Sequence, residues 1–394
     1  MSCHPSAPVW LVGARWLDPA GAWRQEPLAV AAGRIVAIGG EPQGQVRDLA
    51  GHWLVPGLIE THIHGMGHDD VADATMPALA RMAQALVRYG VTSWLPTTVA
   101  CAPEALAATL RTVAEAQALA RNPAADWPGA LVLGAHLESN FLAPRFKGAQ
   151  PAEWLRPPDD PGLRALLREH REAIALVTLA PELPGALALI ETLVADGVVV
   201  SVGHSDATHD QVLAAVAAGA SRVTHLCNAQ RGFHHREPGV LGAALVCDDL
   251  YAEVIADLHH VHPAGLEIAR RCKGPGRLLL VSDALRGTGL PPGEYELGGQ
   301  TTRLDGQVAR LADGTIAGSV ITLDRAVKHV HAHTGATLAE AFAMASAVPA
   351  ESLGLPDRGH LAPDMRADLA VFDADLRCCL TMVGGRIVYE AGQA

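Results

Sequence analysis

The chain is 394 residues long, more than one ordinary hydrophobic core holds, so its length calls for one large barrel-type unit and a smaller one. Apolar residues make up 49% and aromatic residues 4%, the composition of a globular enzyme, and no apolar run reaches the length that spans a membrane. The net charge of −12 argues against the basic face that nucleic acid or an acidic membrane surface requires, but not against an anionic small molecule, which a few Arg, His and helix N-termini can hold.

Residues 8–18 and 28–38 read as strands joined by glycine-bearing turns, with Ala32-Gly33-Arg34 forming the turn before Ile35–Ile38. The C-terminus repeats the pattern: Asp368–Asp373 and Thr381–Tyr389 are strand-like, and Gly384-Gly385 is a hairpin signal. Hairpins this short bury too little to stand alone. The two ends are therefore expected to pair into one small β-sandwich domain, residues 1–55 with 355–394.

Residues 56–354 alternate strand and helix. The strands begin in Val55-Pro56-Gly57-Leu58-Ile59-Glu60-Thr61-His62-Ile63-His64-Gly65 and continue at Val91–Val99, Ala130–Glu138, Ile174–Ala180, Val198–His204, Arg222–Asn228, Tyr251–Asp257 and Leu278–Asp283. Helical segments at Met76–Tyr89, Pro103–Ala120, Pro184–Asp196, Asp206–Ala218 and Pro263–Cys272 fall among them. Eight near-continuous apolar strands with intervening helices predict an α/β fold, a closed (β/α)8 barrel of the TIM type. An open doubly wound sheet is the alternative, but no Gly-x-Gly-x-x-Gly follows the first strand. A glycine-rich, strand-prone β-insertion lies near 293–318, and helices at Leu323–His333 and Leu338–Ser346 lead back to the C-terminal strands.

Barrel enzymes carry their chemistry at the C-terminal ends of the strands. Here those ends bear His62, His64, Glu138, His204, His225 and Asp283. Side chains two apart on a strand share a face, so His62 and His64 aim at one spot. Taken singly, each histidine is more often a satisfied core residue than a ligand, and the plain alternative for Asp283 is a helix N-cap. Gathered together without a counter-ion, six ionisable groups are costly to bury, and a divalent cation removes that cost. Imidazole with carboxylate suits zinc or iron. Nineteen histidines, many near strand ends, lean the same way. His136 shares the face of Glu138 by strand parity and either orients a ligand or fills the core. In His234-His235-Arg236, the guanidinium offers a fork to a phosphate, where the plain alternative is a solvated basic turn. Of His259 and His260, only one can face inward. Lys147 reads as a loop charge and Asp257 as structural.

The motifs His62-Ile63-His64-Gly65, Leu137-Glu138, Gly203-His204-Ser205, His225-Leu226-Cys227-Asn228-Ala229, His235-Arg236-Glu237-Pro238-Gly239 and Val281-Ser282-Asp283-Ala284 together resemble the N-acetylglucosamine-6-phosphate deacetylases of the amidohydrolase superfamily, over nearly the whole chain. The His-x-His element marks only the superfamily, whereas His-x-x-Asn-Ala followed closely by His-Arg-Glu-Pro-Gly is more specific. The resemblance implies Glu138, His204 and His225 as principal metal ligands and His62 and His64 as the pair for a second metal. One or two divalent ions, zinc or iron, are then expected per subunit. It implies Asp283 as the catalytic acid/base, and substrate contacts at Ala149 and Gln150, at Asn228 and Ala229, and in the turn Ile316-Ala317-Gly318. It further implies Arg236 and His260 as holders of the sugar phosphate, and a homodimer with a phosphate contact from the neighbouring subunit. Three departures stand near the substrate positions: Ser139-Asn140 where the family commonly has Gly-Pro, Gln150 where many members have His, and Leu258 where Gly is usual.

A cation held by these residues brings the pKa of water toward neutral, and Asp283 is placed to take a proton from the attacking water and return it to the departing amine. The expected activity is hydrolysis of the acetamide of N-acetylglucosamine 6-phosphate, giving acetate and glucosamine 6-phosphate in amino-sugar metabolism. The alternatives are a deacetylase of another acetylated amino sugar, for example N-acetylgalactosamine 6-phosphate or an unphosphorylated sugar, a cyclic-amide or N-acyl amino-acid hydrolase, and a non-catalytic sugar-phosphate binding protein. Many cyclic-amide hydrolases bridge two metals with a carboxylated Lys at a strand end, and here the third and fourth strands offer Glu138 and no Lys. Mere binding has no need of Asp283. The seven cysteines, Cys3, Cys101, Cys227, Cys247, Cys272, Cys378 and Cys379, form no C-x-x-C. With an N-terminus lacking a basic region and apolar core, they point to the reducing cytoplasm.

Overall fold

The computed structural model describes residues 7–122 and 125–392. Cys3 and the opening Met1–Pro5 segment lie outside the described residues.

Eight parallel strands form the barrel: β1 (Leu58–Ile63), β2 (Val91–Thr98), β3 (Ala135–Glu138), β4 (Ile174–Leu179), β5 (Val199–Val202), β6 (Arg222–Val223), β7 (Tyr251–Ile255) and β8 (Leu278–Val281). Each pairs with the next in chain order, as in β3–β4, where Glu138 lies opposite Thr178. The ring closes between β8 and β1, where the Asp283 N–H donates to the His62 carbonyl and the His64 N–H to the Ala284 carbonyl, both at 2.8 Å. Deeper in the barrel these two strands do not pair directly. The Glu60 carboxylate accepts the Ser282 N–H at 3.2 Å, and the carbonyls of Met344 and Ala345 accept the N–H groups of Leu280 and Ile59, each at 2.9 Å. These strand-edge donors are thus given partners, as the low dielectric of the interior requires.

The helices start and stop where their end residues dictate. The Thr75 hydroxyl accepts the Ala78 N–H at the head of helix Met76–Leu86, and the following turn Val87–Tyr89 ends at Gly90, whose φ of 81° a glycine adopts without strain. Thr208 and Gln211 form a capping box at the head of helix His209–Ala217. The apolar faces of these helices cover the outside of the barrel, with Leu79, Met82, Leu110, Val113, Leu189 and Val212 all buried.

Both chain ends build two further sheets. One has six strands in the order Arg386–Glu390, Cys378–Val383, Leu369–Phe372, Trp53–Pro56, Arg15–Leu17, Trp23–Arg24. The other has four, Arg34–Ile38, Leu28–Ala31, Val9–Val12 and Gln45–Asp48. Leu11, Trp16, Leu28, Ile35, Leu54, Leu369 and Met382 make the core they share. Strand Trp53–Pro56 is separated from β1 by Gly57 alone, where a Cβ would fall 2.2 Å from Thr92 Cγ2. The glycine-rich segment forms three antiparallel strands, Gly293–Leu297, Gln300–Leu304 and Ala309–Arg310.

Two strands differ from their sequence reading. The sequence predicts a sixth strand over Arg222–Asn228, but β6 is two residues, because His225 and Cys227 adopt left-handed backbone at φ 30° and 78°. The third strand is split by Gly134, at φ 135°, into Leu131–Val132 and β3. The helices Pro161–Glu169, which Asp160 caps by accepting the Leu163 N–H ahead of Pro161, and Gly239–Val246 are absent from the sequence reading.

Candidate metal centre

Parity places His62 and His64 together. All of β1 is buried, and the two rings lie 5.2 Å apart at the mouth of the barrel. Across the lumen, Glu138 ends β3. His204, His225 and Asp283 each stand two residues beyond their strands, with φ of 48°, 30° and 50°. Left-handed backbone at three non-glycine residues costs about 1–2 kcal/mol each, and here it turns each side chain inward over the barrel.

The result is one buried cluster. Glu138 Oε1 lies 2.9 Å from His204 Nε2 and 3.0 Å from His225 Nε2, which are themselves 3.0 Å apart. Glu138 Oε2 lies 3.5 Å from His64 Nε2, and Oε1 the same distance from His62 Nε2. Asp283 Oδ1 is 3.1 Å from His64 Nε2 and 3.5 Å from His62 Nε2. Two ligand groups result, His62–His64–Glu138 and Glu138–His204–His225, each with donor atoms within 4.8 Å of one another. His62 Nε2 is buried with no hydrogen-bond partner, 3.5 Å from both Glu138 Oε1 and Asp283 Oδ1. This donor set fits a divalent cation of the zinc or iron kind.

The electrostatics favour positive charge at this spot. Burial pushes the His62 imidazole down, but the carboxylates of Asp283, Glu138 and Glu253 outweigh it and raise it to about 10. Burial pushes the Glu138 carboxyl up, and the neighbouring His204 and His62 hold it well below its ordinary range. Asp283 is likewise held low by His62 and His64 against its burial.

Beneath the cluster sits a charged network that sequence reasoning did not single out. Glu253 on β7 accepts from His62 Nδ1 through Oε2 at 3.2 Å and from Arg222 Nη2 through Oε1 at 2.6 Å. Arg222, wholly buried at the start of β6, also donates to Thr61 Oγ1 at 2.9 Å and Ser352 Oγ at 3.1 Å. The signal was present: a charge inside a strand that otherwise reads as buried demands a partner. His204 is fixed by its Nδ1, which donates to the Phe146 carbonyl at 2.9 Å. His136 bonds the Thr61 carbonyl at 3.1 Å and Thr178 Oγ1 at 2.8 Å and packs its ring 4.6 Å from that of His62, a satisfied lumen histidine that bonds no ligand.

The remaining site candidates are spread around this cluster. Gln150 reaches it directly, donating its amide to Glu138 Oε2. Ala149 lies beside it, its carbonyl accepting from Gln300 of the insertion at 2.6 Å. Asn228 and Ala229 follow His225, and the Ala229 carbonyl accepts the Ser205 N–H at 3.2 Å. Ile316, Ala317 and Gly318 run into Ser319, whose N–H donates to the Asp283 carbonyl at 2.7 Å, so this stretch backs the eighth strand end. His260 is enclosed and bonds Asp257 Oδ2 at 2.6 Å, whereas His259 faces solvent. Arg236 is not brought to the cluster: it stands on an exposed turn against His235 Nε2 at 2.8 Å.

The departures have local roles. The Asn140 amide donates to the carbonyls of Cys101 and Trp154 at 2.8 and 2.7 Å, and Ser139 Oγ donates to the Thr178 carbonyl at 2.7 Å. Both stitch down the loop after β3. Leu258 sits at φ 70°, a backbone glycine adopts more easily.

The Amidohydrolase family model matches residues 53–388. The chain is 38% identical over 382 residues to N-acetylglucosamine-6-phosphate deacetylase of Vibrio furnissii, covering 97% of this chain and 94% of that one. It is also 38% identical over 373 residues to N-acetylgalactosamine-6-phosphate deacetylase of Escherichia coli O157:H7, covering 94% and 95%. Among solved structures, a mutant N-acetyl-D-glucosamine-6-phosphate deacetylase of Mycobacterium smegmatis in complex with N-acetyl-D-glucosamine-6-phosphate matches with a TM-score of 0.88 at 35% identity, over 97% of this chain and 100% of that chain. The family match spans both the barrel and the strands of the C-terminal end, and the chain belongs to the amidohydrolase family.

Proposed function

We propose that this chain is a metal-dependent hydrolase that cleaves the acetamide of N-acetylglucosamine 6-phosphate, releasing acetate and glucosamine 6-phosphate in amino-sugar catabolism. The observation that carries the reading is the seating of Asp283 Oδ1, 3.1 Å from His64, at the rim of the two ligand groups that share Glu138. Glu138, His204 and His225 would hold one cation, and His62 and His64 a second. When bound, the cation supplies Lewis acidity, lowering the pKa of water and polarising a carbonyl. Asp283 takes a proton at its carboxylate from the attacking water and returns it to the amide nitrogen, so that the amine leaves neutral. Its position, inward by virtue of left-handed backbone and backed by Ser319, keeps the carboxylate in place for both transfers. Ala149, Asn228, Ala229 and the Ile316–Gly318 turn line the approach to it in this reading.

For the sugar phosphate, His260 is held by Asp257 just past β7, and Arg236 projects from its exposed turn. An exposed arginine fits a phosphate at the mouth, or one bound by a neighbouring subunit of a homodimer. A cytoplasmic location accords with the scattered thiols; no helix of the described residues is long and apolar enough to cross a membrane. The test is acetate release by the purified chain with zinc or ferrous iron, offered the 6-phosphates of N-acetylglucosamine and N-acetylgalactosamine and both free sugars. Release from the first at the highest kcat/KM is expected, and no release from any of the four overturns the reading. A preference for the galactose epimer is the second reading, favoured by the equal identity to the Escherichia coli relative named for that sugar.

A further inference from the structure

Glu138 is the carboxylate common to both ligand groups, and its two oxygens meet different neighbours. Oε1 faces His204 and His225 at 2.9 and 3.0 Å, with His62 Nε2 further off at 3.5 Å. Oε2 faces His64 at 3.5 Å and also accepts the side-chain amide of Gln150. Gln150 is 4% exposed, and its amide cannot turn over freely: its Oε1 accepts the Ala100 N–H at 2.8 Å. A flipped amide would set N–H against N–H at Ala100 and oxygen against oxygen at Glu138. The Ala100 backbone therefore determines that Gln150 shows Glu138 a donor.

We propose that Gln150 makes the two cation positions unequal, committing Glu138 Oε2 as a hydrogen-bond acceptor so that Glu138–His204–His225 binds tightly and His62–His64 weakly. The inference rests on the metal-centre reading above. An N–H at a carboxylate oxygen draws off electron density that a cation would otherwise use, and its dipole presents positive charge toward the same place. The His62–His64 pair is left with Asp283 Oδ1, at 3.5 and 3.1 Å, as its nearest uncommitted carboxylate oxygen. Asp283 is also the proton carrier of the proposed reaction.

The test is zinc binding itself, independent of turnover. Metal-stripped protein is equilibrated against buffered free zinc and the bound metal counted, with cobalt absorption spectra distinguishing the two positions. The wild-type chain is expected to fill one position at free zinc about 10- to 100-fold below that needed for the second. Gln150→Met, which keeps length but removes the donor, is expected to tighten the second position about tenfold or more and leave the first unchanged. Gln150→Glu keeps the acceptor for Ala100 and replaces the donor with a negative oxygen, and gives the same readout should the Met variant not fold. Two positions filling together in the wild-type chain, or an unchanged gap in the folded variants, overturns the proposal. A wild-type chain that binds no zinc at any concentration overturns the metal centre itself, a result distinct from two equal positions.

Discussion

His62 Nδ1 lies 3.2 Å from Glu253 Oε2, and this one contact joins the candidate metal centre to the charged floor of the barrel. Burial pushes the Glu253 carboxyl up, but Arg222 and His62 bring it to about 2, so it is an acceptor at neutral pH and the Nδ1 of His62 must carry the proton. Nε2 is then the ring nitrogen turned toward the ligand cluster.

Removing that acceptor should loosen the metal and the fold separately. Glu253→Met, which leaves no acceptor, is expected to weaken cation binding at the His62–His64 position by about 10- to 100-fold. Because it strands Arg222 in the interior, it should also cost about 3–5 kcal/mol of stability. Pairing it with Arg222→Met should restore most of the stability without restoring the affinity. Urea unfolding and zinc titration of the two variants measure these effects, and a double variant with wild-type affinity would rule out the positioning role.

Asp283→Asn keeps the shape and an acceptor oxygen at the rim but cannot take a proton. Acetate release is expected to fall by about 10²- to 10⁴-fold with bound metal retained. Wild-type turnover in this variant, measured beside its metal content, would remove Asp283 from the reaction.

Asp70, buried beside the loop that follows β1, gives a pH dependence whose direction is set. Burial pushes its carboxyl up from 3.8 to about 6, although Oδ1 accepts the Ala72 N–H. Below pH 3.8 folded and unfolded chains both hold the proton and the group's contribution is fully present. As pH rises through about 6 the folded chain must bury the charge, and that contribution is lost. Asp70→Asn keeps the cap and never ionises, so its stability relative to wild type should rise between about pH 4 and pH 7.5, by up to about 3 kcal/mol. Unfolding midpoints at the two pH values check this, and a difference that does not change with pH contradicts it.

Gly203 links β5 to His204. A Cβ there would lie 2.7 Å from Thr178 Cγ2 and 2.8 Å from Thr224 Cβ, inside the lumen. Those threonines bond each other at 2.7 Å, and Thr178 bonds His136 at 2.8 Å, so they cannot easily withdraw. Gly203→Ala is expected to cost about 1–3 kcal/mol and to displace His204, lowering the melting temperature and zinc affinity together. An unchanged affinity in the folded variant would show that His204 is positioned independently of this packing.

Much of this protein follows from local pattern. The eight apolar strands, their helices, the terminal strands and the shared face of His62 and His64 are consequences of periods of 2 and 3.6 residues and of end signals such as Thr75 and Gly90, which act within a few neighbours. What lies between residues far apart in the chain does not. Closure of β8 on β1 sets Asp283 beside His64, left-handed turns shorten β6 and aim His225 inward, and the Ala100 N–H settles which end of the Gln150 amide meets Glu138. Arg222 and Glu253 are visible in the sequence as charges in buried strands, but only the folded barrel brings them under His62. The pattern of a strand specifies which side of the sheet a side chain takes. Which partner it meets there depends on how the whole ring of strands closes.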